Sequence, residues 1–296
     1  MANTNSTESN SINNNQDSNS SKNAKHLTNW HLFSPFQKFF LVFFFIASII
    51  TFLSPMVLGQ GFISIFSLGN ILGLLVTLTG IYVSIYQARA EVSIYYFWFI
   101  NTIAYAIQSL LNGWYGQFGE AMIISLPLLI YGWINWYRHI VKEDTKEVLI
   151  TKFTIKEWIG FSAVMIILCL AYGEILLNLT SISQYLFGIT FASDPQPFID
   201  SFMTILTLAA MYTTAKRYME SWYFWIFMDL LGFFTFGSHI IDTSKYSLGV
   251  IVGDVNGVLG DAQFAISGFY GYWLWTKLMK EQKESLKLQK SSKNSK

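Results

Sequence analysis

Within the stretch ESWYFWIFMD, Trp222, Trp225 and Asp229 fall at i, i+3 and i+7, a spacing that predicts two indoles and a carboxylate on one helical face. A second stretch uses amides in the same way: Trp98, Asn101, Tyr105 and Gln108 keep helical spacing, with Asn112 a turn further. A stripe of aromatics alone is ordinary packing. Indoles interleaved with amides and an acid are different, because an apolar surrounding would leave each polar group unpaired at a cost of roughly 2–7 kcal/mol. Such faces are expected to line a cavity. Flat aromatic walls with convergent amides suit a heteroaromatic ring that bears a hydroxylated sugar or an amide, and the acid favours a cation over an anion.

The other candidate charges are also acidic. Glu120, Glu174, Asp200, Asp254 and Asp261 fall in or at the ends of apolar runs, where an ionisable group costs roughly 2.5–3.5 kcal/mol to insert. Glu174, Asp200, Asp254 and His239 are read as lying at outer helix ends. Glu120 and Asp261 are stronger candidates, because each precedes a matching octet, YGWINWYR from Tyr131 or YGYWLWTK from Tyr270, by about 15 Å of helix. They are expected to face one another at similar depth. No catalytic set accompanies them: the histidines (His26, His31, His139 and His239) are scattered, no serine sits in a Gly-x-Ser-x-Gly setting, and there is no His-Glu-x-x-His. An enzyme is not expected, nor is any cofactor or metal.

These residues need helices to hold them, and the helices need a membrane. The chain is 52% apolar and 18% aromatic but only 12% charged, too greasy for an ordinary soluble domain. Solid apolar runs predict an all-α integral membrane protein with about eight spans, each near the length that crosses hydrocarbon. They are placed at 36–54, 64–86, 94–112, 119–137, 157–178, 199–217, 222–240 and 250–276. Every lysine and arginine except Lys245 then lies on one side, so both termini are expected in the cytoplasm of a multi-pass plasma-membrane protein. Residues 1–30 read as a disordered Ser/Asn-rich tail with no signal peptide, and 278–296 as a lysine-rich cytoplasmic end, an exposed helical extension or solvated tail rather than a nucleic-acid arm. The lone Cys169 excludes an intramolecular disulfide.

The octets have company. FGEA at Phe118 and LGDA at Leu259 precede them, and YFW occurs at both Tyr96 and Tyr223, in the same order. Residues 64–138 and 199–277 therefore read as two copies of a three-helix unit, with 157–178 a linker helix and 36–54 an extra helix in front. One linker helix makes the copies parallel, related by a pseudo-two-fold axis along the membrane normal. Taken alone, Trp136 with Arg138 and Trp275 with Lys277 read as an interfacial aromatic belt beside snorkelling cations, and Gly132 and Gly271 as close-packing positions.

The run PFIDSFMTILTLAAMYTTAKRYMESWYFWIFMD (Pro197 to Asp229), with YYFWFIN and LLIYGWINWYR, resembles the PnuC family of nicotinamide riboside and related vitamin transporters. That resemblance implies two parallel three-helix bundles, similar to SWEET carriers and often trimeric. It also implies facilitated diffusion of an unphosphorylated vitamin that is trapped afterwards by phosphorylation. By motif match, Trp222 and Trp225 correspond to the family's Trp-x-x-Trp pair near the substrate, and Asn101 to its first-repeat asparagine. The sequence departs from the family at WYGQFGEA and at DTSKYSLG. Thiamine, riboflavin and deoxynucleosides stay open as substrates beside nicotinamide riboside.

Overall fold

The structure is a computed structural model that describes residues 30–57, 61–111, 115–190, 197–241 and 248–294; the Ser/Asn-rich start and most of DTSKYSLG lie outside the described residues. Its long helices are α1 (Pro35–Phe52), α2 (Leu68–Ala88), α3 (Ile94–Leu111), α4 (Tyr115–Tyr137, in three pieces), α5 (Ile155–Leu177), α6 (Pro197–Ala215), α7 (Ser221–Ile241) and α8 (Leu248–Asn294). Among the described residues, Pro35–Met56, Leu68–Ala88, Gln117–Tyr137, Ile155–Leu177 and Pro197–Ala215 are long and apolar enough to cross a membrane, and Ser221–Phe234 is a shorter apolar run. The protein is thus a helical, multi-pass membrane protein.

Two compact units divide at Phe44. In the first, Ser34 and Gln37 cap the start of α1 reciprocally, Gln37 N donating to Ser34 Oγ at 3.2 Å and Ser34 N to Gln37 Oε1 at 3.0 Å. Phe36, Phe40 and Phe44 then stack up one side of α1, with centroids 6.0 and 4.7 Å apart. The second unit, Phe45–Lys296, holds all the candidate residues.

The helix predicted over 119–137 is interrupted. An α-helical turn, Tyr115–Glu120, gives way to a π segment, Ala121–Ser125, before α-helix resumes at Leu126–Tyr137. Pro127 supplies the cause, because it has no N–H for the Ile123 carbonyl and its ring crowds that turn. A second departure is a small antiparallel pair, β1 (Ile140–Lys142) with β2 (Glu147–Val148), between α4 and α5. At the far end, the lysine-rich stretch expected as a helical extension or tail continues α8 as unbroken helix to Asn294.

The helix joints at the basic end share one geometry. After α2, Ala90 N donates to Gln87 O at 3.0 Å and Glu91 N to Tyr86 O at 3.1 Å; after α6, Arg217 N donates to Thr214 O at 2.8 Å and Tyr218 N to Thr213 O at 2.9 Å. Ala90 and Arg217 both adopt left-handed backbone (φ 53° and 62°), uncommon for residues with a Cβ. Both are held from outside by one strap. Val148 N donates to Ala90 O at 2.9 Å and Val92 N to Lys146 O at 3.1 Å, while Thr151 N donates to Arg217 O at 3.0 Å and Met219 N to Thr151 O at 2.9 Å. Gln282 of α8 fastens the strap: its amide donates to Val148 O at 2.9 Å and Glu147 Oε1 at 3.1 Å, and its carbonyl accepts from Ile150 N at 3.1 Å.

Trp136 and Trp275, the matching indoles of the two octets, are wholly buried and meet with centroids 6.1 Å apart. This corrects the aromatic-belt reading. Each indole N–H reaches a backbone carbonyl at the end of a helix in the other half, Trp136 to Thr214 O at 2.7 Å and Trp275 to Gln87 O at 2.8 Å, so the rings turn inward. The outward-facing indoles are instead Trp133 and Trp273. Gly132 and Gly271 do serve close packing: a Cβ at the first would strike Tyr95, and one at the second would strike Trp222.

Two expectations arise from this end of the bundle. Gly271→Ala should overpack the Trp222 ring and lower the thermal unfolding temperature, by about 1–3 kcal/mol of stability, with Trp222→Phe in the same chain recovering part of it. Nanoscale fluorimetry of the detergent-purified variants measures both. The second concerns Glu91, which burial pushes up to about 7 despite its 2.6 Å ion pair with Arg89, while Glu147 nearby raises it further. A carboxyl raised on folding binds more protons in the native state, so its contribution weakens as pH rises from its ordinary value of 4.5 to about 7. Thermal stability should fall across that window, and Glu91→Gln should flatten the fall in melts taken between those limits.

Candidate functional site

Trp98 of α3 and Trp225 of α7 come from the two matching YFW stretches, and the structure brings them together, with centroids 6.1 Å apart and ring planes at 56°. Trp98 is buried; Trp225 is half-buried, backed by Leu206, Ala209, Ala210 and Phe224. The Trp225 indole N–H donates to Thr214 Oγ1 at 3.0 Å. An aromatic pair therefore bridges the two halves next to the Trp136–Trp275 contact.

Trp222 goes elsewhere. It is buried, T-shaped on Trp275 at 5.5 Å, and fills the space left by Gly271. The single face expected for Trp222, Trp225 and Asp229 is thus divided: positions three apart point about 60° from one another, enough to send the indoles to different neighbours. Trp222 occupies the place in its half that Tyr95 occupies against Gly132 in the other.

The amides of α3 face α2. Asn101 Nδ2 donates to Val76 O at 2.7 Å and to Thr79 Oγ1 at 3.0 Å, and Gln108 Nε2 reaches Gly69 O at 3.5 Å. Glycines make room for them. A Cβ at Gly73 would lie 3.3 Å from Gln108 Nε2, and one at Gly80 would lie 3.4 Å from the Phe264 ring and 3.8 Å from both Asn101 Nδ2 and Gln263 Nε2. Asn101 of α3 and Gln263 of α8 therefore converge over Gly80. Tyr105 turns away from α2 and donates to Gln117 Oε1 of α4 at 2.8 Å.

The carboxylates sit within their own halves. Glu120, at the entrance to the π segment, accepts from Ser125 Oγ at 2.9 Å and lies near Tyr105. Asp261 rests directly on Gly232 of α7, and its field reaches Asp229. The neighbours described for the two acids come from their own halves, Ser125 and Tyr105 for Glu120 and Gly232 and Asp229 for Asp261. Asp229 is 1% exposed, and among the described residues neither of its carboxylate oxygens has a hydrogen-bond partner; the same holds for Asp261 Oδ2. Glu174 and Asp200 are exposed, and the side chains of Asp254 and His239, like Asn112, lie outside the described residues. A groove of about 530 Å³ between α5 and α6, lined by Phe161, Met165, Leu168, Ile205 and Tyr212, contains none of the predicted residues.

Sequence reasoning overlooked α2. Gly73, Gly80, Ser84 and Gln87 lie at i, i+7, i+11 and i+14 on one helical stripe, and they meet Gln108, Asn101 with Gln263, Ser267 and Thr214 in turn. Small and polar residues at that spacing in an apolar run were the available signal. Thr214 and Gln263 carried none of their own, since each matters only through partners from another helix.

Comparison with known proteins agrees with this architecture. The chain is 24% identical over 224 residues to the nicotinamide riboside transporter PnuC of Neisseria mucosa, covering 75% of this chain and 78% of that one. It is also 24% identical over 204 residues to the protein of the same name from Haemophilus influenzae, covering 69% and 78%. Its fold superposes on the crystal structure of the vitamin B3 transporter PnuC with a TM-score of 0.60 and 19% identity, over 84% of this chain and 94% of that one. These relatives are transporters, not enzymes. The family described as nicotinamide mononucleotide transporter matches residues 70–277, most of the chain, and the protein belongs to that family, the family of the PnuC transporters.

Proposed function

We propose that the protein takes up an unphosphorylated form of vitamin B3, nicotinamide riboside first, by facilitated diffusion across the plasma membrane, with phosphorylation in the cytoplasm trapping the product. The observation that carries this reading is the Trp98–Trp225 pair, in which matching indoles of the two halves meet beside amides from α3 and α8. A planar pyridinium ring fits such a wall, and the ring's carboxamide and the ribose hydroxyls fit Asn101, Gln108 and Gln263. The substrate's positive charge fits Asp229 and Asp261, whose buried oxygens lack partners among the described residues. Between Arg217 and Lys277, the described residues include no lysine or arginine to neutralise them.

In this reading the protein has about eight spans, α1 to α8, with both termini in the cytoplasm. Residues 64–138 and 199–277 are parallel repeats around a pseudo-two-fold axis, residues 157–178 link them, and the whole is SWEET-like in layout. The like turns at Ala90 and Arg217 and the reciprocal bonds of Trp136 and Trp275 support the repeat. Trp225 stacks on the ring; Trp222 supports it from the packed side; Trp98, Asn101, Tyr105, Gln108, Glu120, Asp229 and Asp261 complete the site. A homo-oligomer, a trimer by family resemblance, is the assembly proposed.

Calorimetric titration of the purified protein with nicotinamide riboside, thiamine, riboflavin and a deoxynucleoside tests the substrate. Trp225→Ala should weaken binding of the best ligand by about five-fold to more than a hundred-fold, the loss of one stacking platform, and Trp225→Phe by less. An unchanged dissociation constant would reject the stacking role. Asp261→Asn and Glu120→Gln should reduce uptake of charged nicotinamide riboside more than uptake of its neutral reduced analogue. Equal losses for the two compounds would assign the carboxylates to the fold instead.

A further inference from the structure

Thr214 lies at the last turn of α6, wholly buried, and its hydroxyl is a crossing point. It accepts the Trp225 indole N–H at 3.0 Å and the Gln87 side-chain amide at 3.3 Å, while its backbone carbonyl accepts the Trp136 indole at 2.7 Å. Donors from α7, α2 and α4 thus converge on one residue. Gln87 stands at the same place in the first half that Thr214 holds in the second, since its own carbonyl accepts the Trp275 indole.

An indole has two side-chain torsions, and packing against Leu206, Ala209, Ala210 and Phe224 restrains one ring face without deciding which edge turns inward. A hydrogen bond from the ring nitrogen does decide it. With that bond, the indole edge points at α6 and the ring stays tilted toward Trp98. Without it, a part-buried N–H would lose its acceptor, and the ring would gain by turning to find another.

We propose that Thr214 is the positioning residue for Trp225: its hydroxyl fixes the ring plane offered to the substrate and, by holding Gln87 at the same time, makes that plane depend on contact between the two halves. This rests on the stacking role proposed for Trp225. It adds a residue that touches no substrate and sets the quality of the stack through a single oxygen.

A double-mutant cycle on the full chain, read as the dissociation constant for nicotinamide riboside, tests it. Thr214→Val, nearly the same shape without the hydroxyl, should weaken binding about three- to ten-fold, the value of one net hydrogen bond. Thr214→Ser should restore it. In a Trp225→Phe background, where no ring N–H remains, Thr214→Val should change affinity by less than about two-fold. A Thr214→Val loss of the same size in both backgrounds, or a failure of serine to rescue, would overturn the assignment. Should the valine variant not fold, Thr214→Cys, close in size and a weak acceptor, takes its place with the same cycle and the same criteria. If Trp225→Ala weakens binding and Thr214→Val does not, Thr214 alone is rejected. If Trp225→Ala leaves binding unchanged, the stacking reading falls and this proposal with it.

Discussion

In an apolar bundle a buried N–H gains by finding an acceptor inside the protein, and this pressure, which the Trp222 indole leaves unmet among the described residues, shapes how the two halves meet. Three indole nitrogens, of Trp136, Trp225 and Trp275, reach only two residues, Thr214 and Gln87, at the ends of α6 and α2. Helix ends have spare carbonyls because the last turn has no intrahelical donors for them. The large rings therefore gather where α2 and α6 terminate. Gln87 and Thr214, touching each other at 3.3 Å, become the point through which each half feels the other.

The same constraint distinguishes two kinds of polar group along the bundle. Near the basic end the strap's peptides pair with both turns and Gln282 uses both ends of its amide, while side-chain atoms such as Glu220 Oε2 and the Trp222 indole nitrogen find no partner among the described residues. Toward Gly232 two acids, Asp229 and Asp261, lie near each other in an apolar stretch, with buried oxygens that have no partner among the described residues.

Much of this was legible in the sequence, and for a physical reason. Composition and apolar run length set the membrane and the helices, because hydrocarbon thickness leaves few alternatives. Matching phrases marked Trp98 with Trp225 and Trp136 with Trp275, pairs that do meet. What the helical period could not supply was the neighbour: Trp222 and Trp225 share a nominal face yet pack on different helices, and Trp136 turned inward instead of toward lipid. The role of Thr214 was invisible, since a threonine at a helix end reads as ordinary until an indole from another helix is placed beside it. Pro127 was visible, but its π segment depends on how the surrounding helices absorb a missing N–H.

The unbroken run of α8 from Leu248 to Asn294 gives the molecule a stiff lever. At 1.5 Å per residue it is about 70 Å long, more than twice the thickness of the hydrocarbon it is read as crossing. A rotation of about 5° around a point near Asp261 would sweep Asn294 through about 4 Å, while Gln282, part-way along, would drag the strap and both turns with it. Any change in the tilt of α8 is therefore magnified mechanically at its lysine-bearing end.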